Sequence, residues 1–242
     1  MVRMGHLAIA LCVFSLVASA QEDPLAWFPL RVGSRWVYEH ESKSGDRNRP
    51  DVDRWTTEET ITGWVTIPEG LVVLREVKQQ ANPTEQTITR RVITPNGQPR
   101  EVREPGYSRG VLTARDREPY LIHANCVYVI GGGWDGQRQE LRPEYRKYLT
   151  EDTASPDFCF PLRMNRKWGN NDISWRVEPA SERVGALLPA EYAGGIHIFS
   201  SHFGSGGWED VWFQKGAGVV GEHYTHNGTY DEHTKKLISF SH

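Results

Sequence analysis

The sequence is poor in cysteine and carries no large excess of either charge. Only 3 of its 242 residues are cysteine, and its formal net charge at pH 7 is -3. Proteins that bind nucleic acid or anionic membranes through their overall charge are usually strongly basic. The net charge of this chain therefore favours neither nucleic acid nor an anionic membrane as a partner.

Convincing catalytic and cofactor motifs are also missing. The glycines at 131–133 are not followed by the lysine of a phosphate-binding loop, and Ser205 lacks the spacing of a nucleophile elbow. Glu222-His223-x-x-His226 reverses the order of the helical zinc motif, and on a strand its two histidines would lie on opposite faces. The sequence predicts no catalytic residue and no cofactor, and it favours a protein that is not an enzyme.

Long hydrophobic runs are confined to the N-terminus. Arg3 precedes an apolar run over residues 7–17, and Ala18-Ser19-Ala20 follows it. The run is shorter than the roughly 20 residues of a membrane-spanning helix, and the pattern is typical of a secretory signal. We predict cleavage between Ala20 and Gln21 and a periplasmic or extracellular mature protein without a membrane-spanning segment.

Removal of the signal takes Cys12 with it and leaves two cysteines. An oxidising compartment favours a disulfide between Cys126 and Cys159, and two buried free thiols are the alternative. On the loop-entropy description, such a bridge contributes about 3 to 4 kcal/mol to stability.

The strongest internal pattern is a repeated motif. Residues 28–36 read Phe-Pro-Leu-Arg-Val-Gly-Ser-Arg-Trp, and residues 160–168 read Phe-Pro-Leu-Arg-Met-Asn-Arg-Lys-Trp. Each proline disfavours a helix at the preceding phenylalanine, and each tryptophan needs a large apolar partner. Both copies predict an anchored entry into a strand. A turn with positive φ is less favoured in the second copy, where Asn165 replaces Gly33.

Alternation of apolar and polar residues predicts a mainly β protein with few short helices. Strands are expected at residues 36–40, 56–62, 71–77, 86–93, 125–130, 173–177, 196–200, 211–213 and 235–240. Turns are expected at 68–70, 95–97 and 227–228, the last as a two-residue hairpin turn. Helices are expected at 143–150 and 181–188, and long loops at 41–53, 98–118 and 131–142. We predict one β-rich domain over residues 21–242, in which the repeat marks two similarly placed strands or two pseudo-symmetric halves.

Two segments resemble a known group of proteins. FPL-x-x-G-x-x-W, from Phe28, and WF-x-x-G-x-G-V-V, from Trp212, resemble motifs of uncharacterised secreted bacterial β-domain proteins. Those proteins are loosely similar to the half-barrel sheets of periplasmic lipoprotein carriers. The resemblance implies an antiparallel curved sheet or half-barrel with an apolar groove, and it brings no established reaction. It leaves residues 41–155 mostly unmatched.

The chain contains 9 tryptophans, and aromatic side chains can line sugar or lipid sites. Core packing is expected for those in strand-like patterns, such as Trp36 and Trp175. Trp134, Trp208 and Trp212 lie beside glycine-rich segments, and a ligand-binding role is the alternative for these three.

A metal site is a further hypothesis near the C-terminus. If Asn227 and Gly228 form a two-residue turn, Glu222 lies opposite His233, and His226 is a diagonal neighbour of Asp231. Glu222 and His226 would then lie about 13 Å apart along their strand, which disfavours one site made from all four residues. The favoured alternative is a solvated polar face or cross-strand Glu-His pairing.

Together these patterns predict a secreted or periplasmic binding module that is not an enzyme. Its concave sheet surface would receive an apolar small molecule, such as an acyl chain, or a hydrophobic segment of an envelope protein. A structural or protein-interaction scaffold is the first alternative, and a hydrolase with an unrecognised loop site is the second.

Overall fold

The computed structural model of this protein describes residues 24–81, 86–93, 99–106, 115–150, 155–179, 195–203, 206–226, 228 and 230–242. The predicted signal segment, the 95–97 turn and the 181–188 helix lie outside these residues. Within the described ranges, no helix has the length and hydrophobicity needed to cross a membrane.

The described chain is mainly β, with two short α-helices. The helices are α1 (Pro24–Trp27) and α2 (Pro143–Thr150), and a 3-10 turn covers Gly131–Gly133. The strands are β1 (Arg35–Asp46), β2 (Arg49–Ile67), β3 (Gly70–Ala81), β4 (Gln86–Ile93), β5 (Pro99–Gly106), β6 (Arg115–Arg117), β7 (Tyr120–His123), β8 (Cys126–Val129), β9 (Trp134–Asp135), β10 (Glu140–Leu141), β11 (Phe158–Cys159), β12 (Lys167–Gly169), β13 (Ile173–Glu178), β14 (Ile196–His202), β15 (Gly207–Gln214), β16 (Gly218–His226) and β17 (Tyr230–Ser241).

Most strands belong to one curved, nearly closed sheet. Its order is β11-β8-β7-β3-β2-β1-β17-β16-β15-β14-β13-β12, with β6 beside β3. Only residues 160–166 join the two edge strands, β11 and β12, so the edges are close in the chain. Trp168 Nε1 also donates a hydrogen bond of 3.1 Å to the carbonyl oxygen of Pro156 across this gap. The predicted antiparallel curved sheet is confirmed.

Every strand predicted within the described residues is present, but the predicted loop at 41–53 is wrong. There β1 and β2 continue as a long hairpin paired from Arg35 with Thr60 to Asp46 with Arg49. In this part of the hairpin, charged side chains on β1 and β2 pair across the two strands. For example, Arg54 Nε donates a hydrogen bond of 2.7 Å to Glu41 Oε2. Cross-strand charge pairs therefore stabilise strands that lack an apolar pattern. The loops predicted at 98–118 and 131–142 also contain strand: β5 and β6 in the first, β9 and β10 in the second.

The two copies of the repeated motif form the same turn. Gly33 has φ of 90° and its counterpart Asn165 has φ of 64°. In each copy the seventh residue donates a backbone hydrogen bond to the carbonyl oxygen of the fourth, at 3.0 Å in the first copy and 2.9 Å in the second. Asn165 thus adopts the left-handed conformation, which the sequence favoured less in this copy than at Gly33. Its short polar side chain tolerates that region.

Each turn also joins the neighbouring strand in the same way. Gly33 N donates to Ile61 O at 2.9 Å, and Asn165 N donates to Val177 O at 3.0 Å. The first copy precedes the series β1-β2-β3-β7-β8-β11 and the second precedes β12-β13-β14-β15-β16-β17, each a row of neighbouring strands in the sheet. These parallels support the proposal of two pseudo-symmetric halves.

Aromatic side chains fill the end of the sheet interior at which the two motif copies meet. The Phe213 ring has four aromatic neighbours at centroid distances of 5.1 to 6.5 Å: Trp27, Phe28, Phe158 and Phe160. Trp36 and Trp175 belong to the same buried cluster, as expected. Aromatic pairs in this distance range add to the stabilisation that burial of their apolar area provides.

A disulfide joins Cys126 to Cys159, as predicted. The two residues lie directly opposite each other in β8 and β11. The bond therefore fixes one edge of the sheet just before the second motif copy begins.

The double substitution Cys126→Ala/Cys159→Ala should lower the free energy of unfolding by about 2 to 4 kcal/mol, because the unfolded chain loses its cross-link. Urea denaturation of both proteins measures the difference. Reductant should destabilise the wild-type protein by a similar amount and leave the variant unchanged. Equal stability of the oxidised wild type and the variant would contradict this role.

Candidate functional site

The middle of the sheet interior contains a buried network of charged side chains. Arg75 Nη1 lies 2.7 Å from Glu59 Oε2, and these two side chains are only 6% and 8% exposed. Lys235 Nζ lies 3.4 Å from Glu59 Oε1 and 3.2 Å from Glu222 Oε1. Each carboxylate oxygen of Glu59 therefore has its own cation, and the network links β2, β3, β16 and β17.

Opposing charges keep this network ionised. Burial favours the neutral form of Glu59, but the charges of Lys235 and Arg75 outweigh it and lower the pKa of this carboxyl to about 2. Burial likewise opposes the charge on Lys235, yet Glu222 and Glu59 raise the pKa of this amine above its usual value. The Lys235 ammonium also lies 4.2 Å from the centroid of the Tyr38 ring, a favourable cation-π position.

A layer of stacked rings follows the charged network along the strands. His40 stacks on Trp55 with a centroid distance of 5.0 Å, and His40 Nδ1 lies 3.2 Å from His233 Nε2. His40 Nε2 is also 2.8 Å from the hydroxyl of Thr57. Burial, together with the nearby Lys235 and His233, lowers the pKa of His40 to about 3. Burial lowers the pKa of His233 as well, which favours its neutral form.

The interior differs from the apolar groove that the resemblance implies. Aromatic rings occupy one end of the described concave face, and the charges of Glu59, Arg75 and Lys235 occupy its middle. An acyl chain would have to displace packed rings or desolvate ion pairs, and both are costly. The described inner face is therefore poorly suited to an apolar ligand.

Two further carboxyl groups in the interior hold protons more tightly than usual. Burial raises the pKa of Asp157 to about 6, although Val129 N donates it a 2.8 Å hydrogen bond. Burial also raises the pKa of Glu209, whose Oε2 lies 3.5 Å from His202 Nε2. A hydrolase of the serine type needs a hydroxyl bonded to such a histidine. Ser200 lies on the same strand, but its Oγ forms no hydrogen bond within the described chain.

A groove of about 320 Å³ is lined by residues of β1, β2, β15, β16 and β17, most of which face outward by strand alternation; His40, Glu222 and Lys235 also belong to its lining. Alternation along β16 turns Glu222 inward and Gly221 outward. Gly221 has no side chain, and it lies between Trp212 on β15 and Lys236 on β17. Glu39 on β1 lies opposite Lys236. The missing side chain leaves space in this row, and all four of these outward residues line the groove.

Charges of both signs surround this space in equal number. The carboxylates of Glu39 and Glu41 and the cations of Arg54 and Lys236 belong to its lining. Glu41 is paired with Arg54, whose Nη2 lies 2.7 Å from Glu41 Oε2. Trp212 is 2% exposed, so its indole is almost wholly covered. The groove is thus lined mainly by charged side chains of balanced sign.

A series of histidine and carboxylate side chains borders the groove on the same face. His197 Nε2 is 2.7 Å from Asp210 Oδ1, and the ring of His197 stacks on Trp212 at 5.4 Å. His223 lies 4.0 Å from the other oxygen of Asp210 and 3.1 Å from Glu232. These contacts hold Trp212 in place and give the border of the groove several polar atoms.

The three tryptophans proposed for ligand binding occupy different places. Trp134 packs against a second cluster, beneath α2 and including Leu121 and Tyr128, on the other side of the sheet from the main core. Trp208 is half-buried on β15. Trp212 lines the groove but is almost wholly buried. A binding role for any of them remains a prediction.

The residues proposed as metal ligands lie on β16 and β17 in a register that differs from the predicted one. Glu222 lies opposite Lys235 and forms an ion pair with it, whereas His233 lies opposite Tyr224. The expected pairing of Glu222 with His233 is therefore wrong. The connection from His226 to the start of β17 is longer than a two-residue turn, and the extra length shifts the pairing by two residues.

A shift of two residues leaves Glu222 and His233 on the predicted face of the sheet but changes the residues opposite them. Glu222 therefore binds Lys235, and His233 binds His40. In the part of the chain that the structure describes, no three His, Cys, Asp or Glu side chains are placed to hold one metal ion. A metal site that uses His226 and Asp231 stays a prediction.

Sequence reasoning missed both the charged network and the groove. A signal for the network was present, because Glu59 has the same strand parity as the buried Thr57 and Ile61. The groove had no comparable signal. Its residues come from β1, β2, β15, β16 and β17, and only the register of these strands brings them together.

No protein-family model matches the chain, and no curated protein matches it. Two solved structures show a distant similarity. A candidate lipoprotein from Parabacteroides distasonis is 10% identical with a TM-score of 0.38, over 88% of this chain and 97% of that one. A candidate exported protein with a YmcC-like fold from Bacteroides fragilis is 8% identical with a TM-score of 0.34, over 89% of this chain and 99% of that one. Similarity at this level carries neither a function nor a site to this protein.

Replacing Lys235 with methionine should lower the free energy of unfolding by about 3 to 5 kcal/mol, because it leaves buried carboxylates with too little positive charge. Chemical denaturation at pH 7 measures this loss. Lys236→Met is a matched control at the next position of the same strand, where the side chain is exposed. Equal effects of the two substitutions would contradict a special role for the buried network.

Stability should fall as the pH is lowered from 7 to 5, in part because of His40. Its folded pKa of about 3 lies below the value of 6.5 for a free histidine. Near pH 5 His40 therefore binds a proton in the unfolded state but not in the folded state. This difference lowers the free energy of unfolding by about 2 kcal/mol between pH 7 and pH 5. His40→Gln should remove that part of the pH dependence when unfolding is measured at both pH values. The C-terminal His242→Gln should retain it, and an unchanged slope in His40→Gln would refute the assignment.

Proposed function

We propose that this chain is an exported binding module, not an enzyme, and that its outer groove takes a small ligand carrying both a positive and a negative charge. The N-terminal signal pattern supports export. The single observation that carries the binding proposal is the groove of about 320 Å³ over Gly221, with Trp212 at one side and Glu39 and Lys236 at the other.

The size and charge of the groove define the ligand class. Its volume is at the lower end of the usual range for small-molecule pockets, which suits an amino acid or a dipeptide. Lys236 can pair with a carboxylate of the ligand, and Glu39 can pair with its ammonium group. An anion or a cation alone would meet as many repulsive charges as attractive ones.

The groove offers a better site than the concave face for such a module. The inner surface is engaged by its own side chains, which form the Glu59-Arg75-Lys235 network and the His40-His233 pair. Ligand binding there would require these bonds to break. On the outer face Glu39 and Lys236 are exposed, so a ligand can reach them without disturbing the core.

Isothermal titration with alanyl-phenylalanine, whose two termini are free, tests this proposal. We expect saturable binding that is lost when both termini are blocked as N-acetyl and amide. Lys236→Glu and Glu39→Lys should each weaken binding about tenfold, since one charge-assisted contact becomes repulsive. Lys167→Glu, at an exposed position on β12 away from the groove, should bind like the wild type.

Failure of every free amino acid and zwitterionic dipeptide in a small panel to bind would overturn the proposal. Equal binding of the blocked peptide would overturn the ligand class. Native mass spectrometry of protein isolated from its own host distinguishes the earlier apolar-ligand hypothesis, which requires a copurifying lipid. Detection of a stoichiometric lipid would favour that hypothesis over the polar groove.

A further inference from the structure

The repeated motif presents one exposed apolar side chain in each copy. Val32 and Met164 occupy its fifth position, and they are 61% and 55% exposed. Each is at the tip of the turn that the positive-φ residues Gly33 and Asn165 close. Packing does not explain these two residues, because the motif uses its Phe, Leu and Trp positions for the core.

The two tips lie at the same end of the sheet. Between β1 and β12 the sheet contains six successive pairings, and each of them is antiparallel. An even number of reversals makes β1 and β12 parallel, so the turns that precede them lie on one rim. The two strands are six places apart in a nearly closed sheet of twelve, so the tips lie on opposite sides of that rim. We call this end, with the turns 31–34 and 163–166, the motif rim.

An exposed tryptophan lies on the same rim. Trp64 is near the C-terminal end of β2, which runs antiparallel to β1. Its ring is 44% exposed, and its Nε1 donates a 2.7 Å hydrogen bond to the carbonyl oxygen of Leu30 in the first motif copy. Tryptophan with its N–H satisfied and its ring partly open is typical of the region between water and lipid.

Basic residues surround the tips. The first copy contains Arg31 and Arg35, the second contains Arg163, Arg166 and Lys167, and neither contains an aspartate or a glutamate. Arg35 forms an ion pair with Glu58 on β2, whereas Arg31, Arg163 and Lys167 are exposed. Burial, and to a smaller extent the charge of Arg163, lowers the pKa of Arg166. Lys215 adds a further exposed cation, in the turn between β15 and β16 at the same end. The two turns of the motif rim therefore carry a net positive charge although the chain as a whole is slightly acidic.

We propose that the motif rim docks onto the surface of an anionic lipid bilayer. Val32 and Met164 enter the region between the headgroups and the acyl chains, Trp64 lies at headgroup depth, and the flanking cations contact lipid phosphates. A protein interface usually has one contiguous apolar core. Here two single apolar side chains lie on opposite sides of a basic rim. This arrangement instead suits the flat, negatively charged surface of a bilayer.

Vesicle sedimentation tests the proposal with the chain from Gln21 onward, which contains every described element. Vesicles of phosphatidylcholine with about 30% phosphatidylglycerol should bind the protein, and vesicles of phosphatidylcholine alone should bind it much more weakly. Arg31→Gln/Arg163→Gln should reduce binding about fivefold for each arginine removed. Val32→Ser/Met164→Ser should reduce it by a similar factor, because both side chains lose their place in the apolar region.

A matched control lies at the other end of the sheet. Phe203, which follows β14, is 66% exposed, and β14 runs in the same direction as β1, so Phe203 is on the opposite rim. Phe203→Ser should leave vesicle binding unchanged. Binding that is absent, equal on neutral and anionic vesicles, or unaffected by the tip and arginine substitutions would overturn the proposal. A stronger effect of Phe203→Ser than of the tip substitutions would place the docking surface elsewhere.

Discussion

The interior of this protein depends on the pairing of Lys235 with Glu59 and Glu222. A buried ammonium is stable only if carboxylates compensate for its lost hydration. Here the two carboxylates come from different strands, β2 and β16, and Arg75 on β3 neutralises the remaining charge of Glu59. These contacts favour the register in which β2 and β3, on one side of β1, meet β17 and β16 on its other side. In that register the outward-facing residues Trp212, Gly221, Lys236 and Glu39 form a row across the groove.

The other end of the interior is held by a different interaction. Rings from both motif copies meet around Phe213, and the disulfide between Cys126 and Cys159 joins the edge strand β11 to its neighbour β8. Aromatic rings pack against one another at one end of the concave face, and ion pairs form in its middle. The described side chains of this face therefore bind mainly to each other. Interaction with other molecules is thus more favourable at surfaces that need no rearrangement: the outer groove and the motif rim. These two surfaces are separate, since the groove lies across the strands and the rim lies at their ends.

Much of the architecture was predictable because it depends on local patterns. Period-two alternation located the strands, the compartment argument paired the cysteines, and the proline and tryptophan of each motif copy marked the starts of β1 and β12. The hairpin over residues 41–53 was missed because its strands have no apolar face, and cross-strand ion pairs provide no periodic signal. The metal hypothesis depended on one turn length, and a shift of two residues placed Lys235 opposite Glu222.

The sequence by itself predicted the fold class, favoured the disulfide over free thiols and marked the two anchored entries into strands, because each follows from neighbours in the chain or from residue chemistry. The tertiary structure decided which side chains meet. Glu59 and Lys235 are far apart in sequence, and Glu39 is far from both Gly221 and Trp212. Their contacts depend on the register of non-consecutive strands and on the curvature that turns one face inward. The two motif tips share a rim for the same reason, since the number of antiparallel pairings between β1 and β12 decides their direction.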